Sequence, residues 1–343
     1  MAMEERSYKD LSGAVWEKGL CAGCGACVAV CPADALCMDQ GTGSSDHPRN
    51  NGYCKAVNDG VPCGACYAVC PRVQPHAEEP IGPVLSMHAA RAAFDVKGRQ
   101  SGGAVTAILI NALEEGLIDA VVTVTADQWT MLPHSTVITS SEALITGAGS
   151  RYNWWVPLLA ALKEAVVTRK YKRIAIVGVP CVVQAVEQMR SSEHDLLRPY
   201  ARSIRLLIGL FCTESFDYQR LMEGKLIHEF SIEPWQIRKM DVKGVLEVLL
   251  KDGNAITIPL KDLADCVKPG CHACNDLTGV DADLSAGSVG SPEGCTTLLV
   301  RTKTGAGFVQ NALDHNRLLL EGEVDTRAIE KLAGIKISRS HHP

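Results

Sequence analysis

No apolar run approaches the ~18 residues that a membrane-crossing helix needs, so no transmembrane span is expected. The first residues, MAMEERSYKD, are charged and lack the apolar stretch of a signal peptide, which sets the expectation of a cytoplasmic protein. Aromatic residues are sparse and the formal net charge is −5, so the basic face of a nucleic-acid binder is missing. Nor does any strand run into a G-x-G-x-x-G turn of the dinucleotide-binding form, and a Rossmann-type NAD site is not indicated. Cysteine is what the chain has in quantity: 15 residues. Disulfides are rare in reducing compartments, the count is odd, and the spacings are short and repeated. Metal ligation is therefore the leading explanation.

The cysteines divide the chain. Residues 1–74 read as a small cysteine-rich domain, the Pro-rich 75–87 as a linker, and 88–343 as a larger domain. In the larger part, GAVTAILINALEEG at 103–116 predicts a helix with a glycine stop, and IDAVVTV at 118–124 a buried strand. A helix over 154–170, a strand over 173–178, a helix over 182–190 and a strand over 204–211 follow. Helices near 215–229 and 326–334 and strands near 245–251 and 255–259 complete the pattern. Such alternation predicts a mixed α/β fold, without fixing a strand order.

CAGCGACVAVCP supplies Cys21, Cys24, Cys27 and Cys31 before Pro32, the C-x2-C-x2-C-x3-C-P run of bacterial ferredoxins, in which the fourth cysteine ligates the other of two clusters. The partner run is Cys63, Cys66 and Cys70 before Pro71, with Cys54 as its displaced first member. Cys21, Cys24, Cys27 and Cys70 are then expected to hold one [4Fe–4S] cluster, and Cys31, Cys54, Cys63 and Cys66 another. Ala22, Gly23, Gly25, Ala26, Gly64 and Ala65 are small, so the backbone can wrap closely and aim N–H groups at the sulfurs. Zinc also uses C-x2-C pairs, but two interlocked four-cysteine runs with Cys-Pro ends are far more specific. So small a domain has little core, and clusters would supply much of its stability.

Four more cysteines end strands or form a pair: Cys181 in GVPC, Cys212 in GLFC, and Cys271 and Cys274 in CHAC. Two strand-end loops can face one sheet edge, where sites of open α/β folds collect. Spacing alone leaves a third cluster and a pair of buried small thiols equally open. Cys37, Cys266 and Cys295 are read as non-ligands. Ser101, Gly102 and Gly103 at a helix N-terminus make either an anion site or a plain cap.

Taken in order, SGGAVTAIL, GSRY, GVPC-x2-QA, GLFC, CVKPGCHAC, ADLSAGSVGSPEG and LLVRT-x2-G resemble the family of coenzyme F420 hydrogenase/dehydrogenase β subunits over about residues 88–310. That family includes the β subunits of F420-reducing hydrogenase and F420-dependent formate dehydrogenase and the input subunit of F420H2 dehydrogenase. The resemblance implies an FAD-binding mixed α/β domain, which with the two-cluster [4Fe–4S] ferredoxin module read from the cysteine runs gives an α+β/α/β protein. The hydrogenase subunit lacks such a module and the F420H2 dehydrogenase input subunit has one. The resemblance also implies a third [4Fe–4S] cluster on Cys181, Cys212, Cys271 and Cys274, and coenzyme F420 as substrate. FAD contacts are expected from Ser101, Gly102, Gly103, Val105 and Thr106, from Gly149, Ser150, Arg151 and Tyr152, and from Asp283, Ser285, Gly287, Ser288 and Gly290. Arg301 would pair with a phosphate, and Lys268 and Arg151 are candidates for a basic F420 entrance. Hydride would pass between F420 and FAD, and single electrons through the clusters, in either direction. A hydrogenase, formate dehydrogenase, heterodisulfide reductase or F420H2 dehydrogenase complex would be the partner, and any membrane association would come through it. Two other readings stay open: a reductase of another ring substrate with the ferredoxin module as inlet, and a passive electron wire with no flavin.

Overall fold

In the computed structural model, residues 5–38, 46–74, 78–149 and 156–341 are described. Thirteen strands occur among them. They are β1 (Leu36–Cys37), β2 (Arg49–Asn50), β3 (Ser86–Ala92), β4 (Ala120–Ala126), β5 (Pro133–Ile138), β6 (Ile174–Gly178), β7 (Ile204–Leu210), β8 (Ile237–Val242), β9 (Val245–Leu250), β10 (Ala255–Pro259), β11 (Leu284–Gly287), β12 (Thr296–Val300) and β13 (Leu318–Leu320). Eight form one sheet in the order β13-β3-β12-β11-β7-β6-β4-β5. Its centre, β4, β6, β7 and β11, is parallel, and its flanks are antiparallel. The fold is thus mixed α/β, and β3 begins at Ser86, inside the stretch whose prolines read as linker.

Both faces of the central strands are covered, which is why β6 reads as an unbroken apolar run, IAIVG, buried at every position. Side chains alternate between two cores. Val122, Ile174, Ile176 and Leu207 point into one; Val121, Ala175, Val177, Leu206 and Ile208 point into the other. Helices Ala104–Glu114 and Lys303–Asp314 cover the second face, the latter capped by the Thr302 hydroxyl accepting from Gly305 N–H. Helix Pro180–Ser191, with proline at its first position, covers the first.

The cysteine-rich segment lies on that first face. Leu11, Val15, Ala26, Val30, Ala65 and Val69 share a core with Leu159, Leu162, Val182, Val186 and Leu197. Polar contacts fasten it: Tyr200 Oη donates to Ala29 O at 2.7 Å, Lys163 Nζ to Cys31 O at 2.6 Å, and Leu159 N–H to Cys24 O at 2.9 Å. Its two halves repeat one device. Gly25 (φ 79°) and Gly64 (φ 70°) each open a one-turn helix, Ala26–Ala29 and Ala65–Ala68.

Between β7 and β11 the chain leaves the sheet to build a lobe. Strands β8, β9 and β10 form a three-stranded antiparallel sheet, and helix Gln219–Glu229 packs with it around Phe216, Leu221, Met222, Leu246, Val248 and Leu263. The lobe's two ends run side by side as a stalk. Phe216 bridges Val267, Asp217 N–H donates to Cys266 O (2.7 Å), and Lys268 N–H donates to Ser215 O (3.0 Å).

Candidate iron–sulfur and redox site

The one-turn helices and the loops before them aim cysteines inward. Cys31, Cys54, Cys63 and Cys66 line a single small, almost wholly apolar void of about 20 Å³. Burial raises the Cys66 thiol, and the next contributions come from Cys63, Cys31 and Cys54, the other three of the set. Cys21, Cys24, Cys27 and Cys70 form the companion group. Burial pushes Cys21 and Cys24 up to about 12 and Cys27 well above the ordinary thiol value, with further repulsion among Cys21, Cys24 and Cys70. A metal that binds thiols raised in this way must displace their protons. Backbone N–H groups already reach sulfur, as from Ala35 to Cys31 Sγ at 3.3 Å.

The third group is assembled by topology. Strands β6 and β7 are parallel neighbours, so the loops after Gly178 and Leu210 bring Cys181 and Cys212 to the same carboxyl edge. The stalk then returns Cys271 and Cys274 beside Cys212. All four line one cavity of about 140 Å³. Cys212 N–H donates to Leu277 O at 2.9 Å and Ser215 N–H to Cys271 Sγ at 3.4 Å. Among the described residues no three His, Cys, Asp or Glu side chains come close enough to share one metal ion. The second and third sets ring voids instead, as ligands to separate irons of a cluster would.

Two cations reach the third group. Lys336, 2 % exposed, donates to Cys212 O (2.5 Å) and Asp276 O (2.6 Å). Arg72 follows the ferredoxin-like segment into the same cavity; its Nε is sealed from solvent without a hydrogen-bond partner. An orphaned donor beside four thiols fits a site that an anionic sulfur-rich group completes. Burial alone would raise the Cys274 thiol, but Lys336 and Arg72 together hold it at about 7.

The three sets are contiguous. Cys24 lines the third set's cavity, and Cys181 Sγ lies 3.9 Å from Ala22 O. Gly270 sits against the first run so closely that a Cβ there would fall 2.0 Å from Cys21 O. On the other side, Cys66 is among the neighbours that raise Cys27. The order through the protein is third set, first set, second set. The remaining cysteines stand apart from these groups: Cys37 Sγ faces Arg49 O, Cys266 lies in the lobe core, and Cys295 Sγ is 4.0 Å from Glu321.

The other residues singled out from sequence are more dispersed. Gly149 lines the 140 Å³ cavity with Thr123, Val124 and Val177–Val182. Ser150, Arg151 and Tyr152 lie outside the described residues. Ser101 Oγ and Gly102 N–H both contact Thr296 Oγ1 (2.9 and 3.1 Å), and a Cβ on Gly102 would meet Ala90 O at 2.3 Å. Gly102 is therefore required by packing against β3 and β12, while Gly103 (φ 73°) caps the helix on which Val105 and Thr106 are half-buried. Asp283, Ser285 and Arg301 are buried and bonded to other protein groups. Asp283 accepts from Arg190 and Leu207 N–H, and Arg301 donates to Ser285 Oγ (2.7 Å), Thr278 Oγ1 (2.9 Å) and Pro83 O (3.0 Å). Burial lowers the Arg301 guanidinium to about 10. These three side chains are engaged by protein partners and do not line the cavity. Gly287 packs against Phe211, Gly290 against Ile329 and Asp325 O, and Ser288 is exposed. Lys268 is buried between Asp46 (2.7 Å) and Asp217 (3.3 Å).

Arg72 and Lys336 did not stand out in the sequence. A signal was present for Lys336: with Ile329 and Ala333 it occupies one face of helix Thr326–Ser340, a lysine on an otherwise apolar stripe.

An α/β sheet whose carboxyl edge gathers four cysteines, joined to a ferredoxin-like segment with eight more, defines an iron–sulfur electron-transfer protein. The comparisons agree. Residues 14–36 match the 4Fe-4S binding domain, and residues 87–163 and 171–326 match the N-terminal and C-terminal parts of the coenzyme F420 hydrogenase/dehydrogenase beta subunit. An uncharacterised Methanocaldococcus jannaschii protein is 41% identical over 97% of this chain and 98% of its own length. One of the subunits of the F420H2 dehydrogenase of Methanosarcina mazei is 32% identical over 94% of this chain and 90% of its own. A chain of the xenon-derivatised F420-reducing [NiFe] hydrogenase complex from Methanosarcina barkeri superposes with TM-score 0.72 at 31% identity, covering 78% of this chain and 94% of that one. The chain belongs to the family of coenzyme F420 hydrogenase/dehydrogenase β subunits and carries a [4Fe–4S]-binding segment. No helix among the described residues is long and apolar enough to cross a membrane.

Proposed function

We propose that this chain is the cofactor-side subunit of an F420-dependent oxidoreductase complex. It exchanges hydride between coenzyme F420 and FAD and conveys single electrons through three [4Fe–4S] clusters to or from a partner subunit. The observation that carries this reading is the contiguous placement of three four-cysteine sets, the last opening on a cavity at the carboxyl edge of the parallel strands.

The protein's part is to hold and tune. Cys181, Cys212, Cys271 and Cys274 ligate one cluster, Cys21, Cys24, Cys27 and Cys70 the next, and Cys31, Cys54, Cys63 and Cys66 the last. Thr123, Val124, Gly149, Val156, Leu158 and Val177 give the cavity an apolar wall opposite the third set, suited to the face of a flavin ring. The Ser101–Gly103 turn lies beside the same edge, since Gly98 approaches Ala148 O and Ala148 packs on Val96. It opens helix Ala104–Glu114, whose first N–H groups can serve a phosphate; the Gly102 N–H is already taken by Thr296 Oγ1. Asp283, Ser285 and Arg301 serve as the scaffold beneath that edge. FAD, when bound, supplies the conversion between hydride pairs and single electrons. Apolar surroundings keep water from the reacting edge.

Anaerobically purified protein is expected to hold roughly twelve irons, three cubanes, with one FAD, and to reduce coenzyme F420 with a low-potential donor. Full cofactor content with turnover of a different ring system and none of F420 would overturn the substrate assignment. Iron and no flavin would leave only an electron wire.

A further inference from the structure

The cavity at the sheet edge is lined by two cations and one carboxylate among the described residues: Arg72, Lys336 and Glu214. Glu214 is neutralised by an ion pair with Arg339. Neither cation is balanced this way. The hydrogen-bond partners of Lys336 are two carbonyls, Cys212 O and Asp276 O, which fix its ammonium without cancelling its charge. The Asp276 carboxylate accepts from the N–H groups of Thr278 (3.0 Å), Gly279 (2.7 Å) and Val280 (3.3 Å) and the Gln184 amide (3.5 Å), so it offsets the Lys336 charge through space without pairing with it. Arg72 reaches Gly270 O at 3.5 Å and hydrogen-bonds the Cys274 sulfur, and its Nε lacks a partner. Isolated buried charges are costly unless something of opposite sign completes the site. Four thiolates around a cluster would do so.

We propose that Lys336 and Arg72 set the reduction potential of the third cysteine set, Lys336 acting on that set alone and Arg72 on both the third and the first. This rests on the reading above that Cys181, Cys212, Cys271 and Cys274 hold a cluster. Adding an electron makes the group more negative, so a fixed positive charge in a low-dielectric cavity stabilises the reduced form and raises the potential. The division of labour follows from position. Lys336 comes from the C-terminal helix, lines the cavity with Cys212, Cys271 and Cys274, and donates to Cys212 O. Arg72 lies two residues after Cys70, between the sets: it is felt by Cys21, Cys24 and Cys70 on one side and by Cys181, Cys271 and Cys274 on the other. The third and first sites are thereby raised together relative to the second, which neither cation contacts. These are positioning residues, since their effect is on the group the cysteines hold.

The test is a redox titration of the full chain, reconstituted with iron and sulfide, monitored by electron paramagnetic resonance, with iron counted in each sample. Lys336→Gln keeps a hydrogen-bond donor and removes the charge. It is expected to lower the potential of one cluster, giving at least a tenfold smaller reduced-to-oxidised ratio at fixed solution potential (about 59 mV for one electron). Lys336→Arg is expected to restore it. Arg72→Gln is expected to lower two clusters. Variants that retain iron with all three potentials unchanged overturn the proposal, as do variants that lose iron while the surviving potentials stay put, which would mark a structural role only. Wild-type protein with roughly eight irons (two cubanes) overturns the underlying three-cluster reading, and is told apart because the deficit is present before any substitution.

Discussion

The ferredoxin-like segment and the sheet edge solve the same problem in opposite ways. In the former, cysteines three or four positions apart, with Cys54 nine before Cys63, are aimed by local turns, Gly25 and Gly64 opening each one-turn helix. At the sheet edge, Cys181, Cys212 and the Cys271/Cys274 pair arrive on three separate excursions, and parallel strand pairing with the lobe stalk does the assembling. The first arrangement is cheap in sequence but has little structure of its own, two-residue strands and four-residue helices around a void of about 20 Å³, and it shares its core with the helices on the sheet's first face. The second stands on an eight-stranded sheet buried on both faces. A locally encoded site leans on its ligand for stability, whereas a topologically encoded site does not.

The largest expected effect tests that contrast directly. Cys66→Ser should cost the second cluster and loosen the N-terminal segment, seen as rapid proteolysis between residues 46 and 74, whereas Cys274→Ser should lose iron with the sheet intact. Equal protease resistance of the two variants would erase the distinction. Next comes the seam between the regions. Gly270→Val places side-chain atoms against the Cys21 carbonyl, and overpacking of this kind costs about 1–3 kcal/mol. Thermal unfolding should fall accordingly, and electron transfer between the third and first clusters, followed by rapid mixing, should slow. A smaller change is expected for Tyr200→Phe, which strands the Ala29 carbonyl. It should cost about 1–2 kcal/mol in chemical denaturation.

The smallest effect belongs to the sheet's far end, away from every cysteine. Burial works against ionisation of Asp119, but the Arg173 guanidinium and the Lys172 and Arg173 N–H groups hold its carboxyl below the ordinary 3.8. A lowered folded value means the contribution is complete above the unfolded value and fades as pH falls through the folded one. Asp119→Asn should therefore cost under about 1 kcal/mol at pH 7, a gap that narrows as the pH drops below about 4. A gap that widens in acid would reverse the sign.

Legibility followed the same division. The two ferredoxin-like sets were readable as text because their geometry is written in adjacent residues. The central strands at 120–126, 174–178 and 204–210 announced themselves as apolar runs. Strands β3, β11, β12 and β13 did not, being short or mixed in pattern, and only pairing with neighbours makes them strands. Helix Thr326–Ser340 runs beyond the expected 326–334, and those extra residues bring Lys336 and Arg339 to the site. The glycine loops carry a packing demand as well. At Gly102 and Gly287 the missing side chain admits Ala90, Thr296 and Phe211, a demand of packing that has the same signature in sequence as a demand of a ligand. Asp283 and Arg301 are polar in sequence yet buried, Asp283 bonded to Arg190 and the Leu207 N–H and Arg301 to Ser285 and Thr278, which no spacing rule reveals.

The stalk has a consequence for how this scaffold can change. Because the chain departs at Phe216 and returns at Val267 as a bonded pair, what lies between is a cassette with two adjacent ends, touching the rest of the chain also at Thr130, Met131 and Gln100. Insertions and exchanges succeed where termini lie together and the host's hydrogen bonds close without the guest. The lobe, with its own sheet and core, is thus free to be exchanged for another of different shape while Cys212, Cys271 and Cys274 keep their places. What approaches the cavity from that side can be redesigned without touching the cysteines at its base.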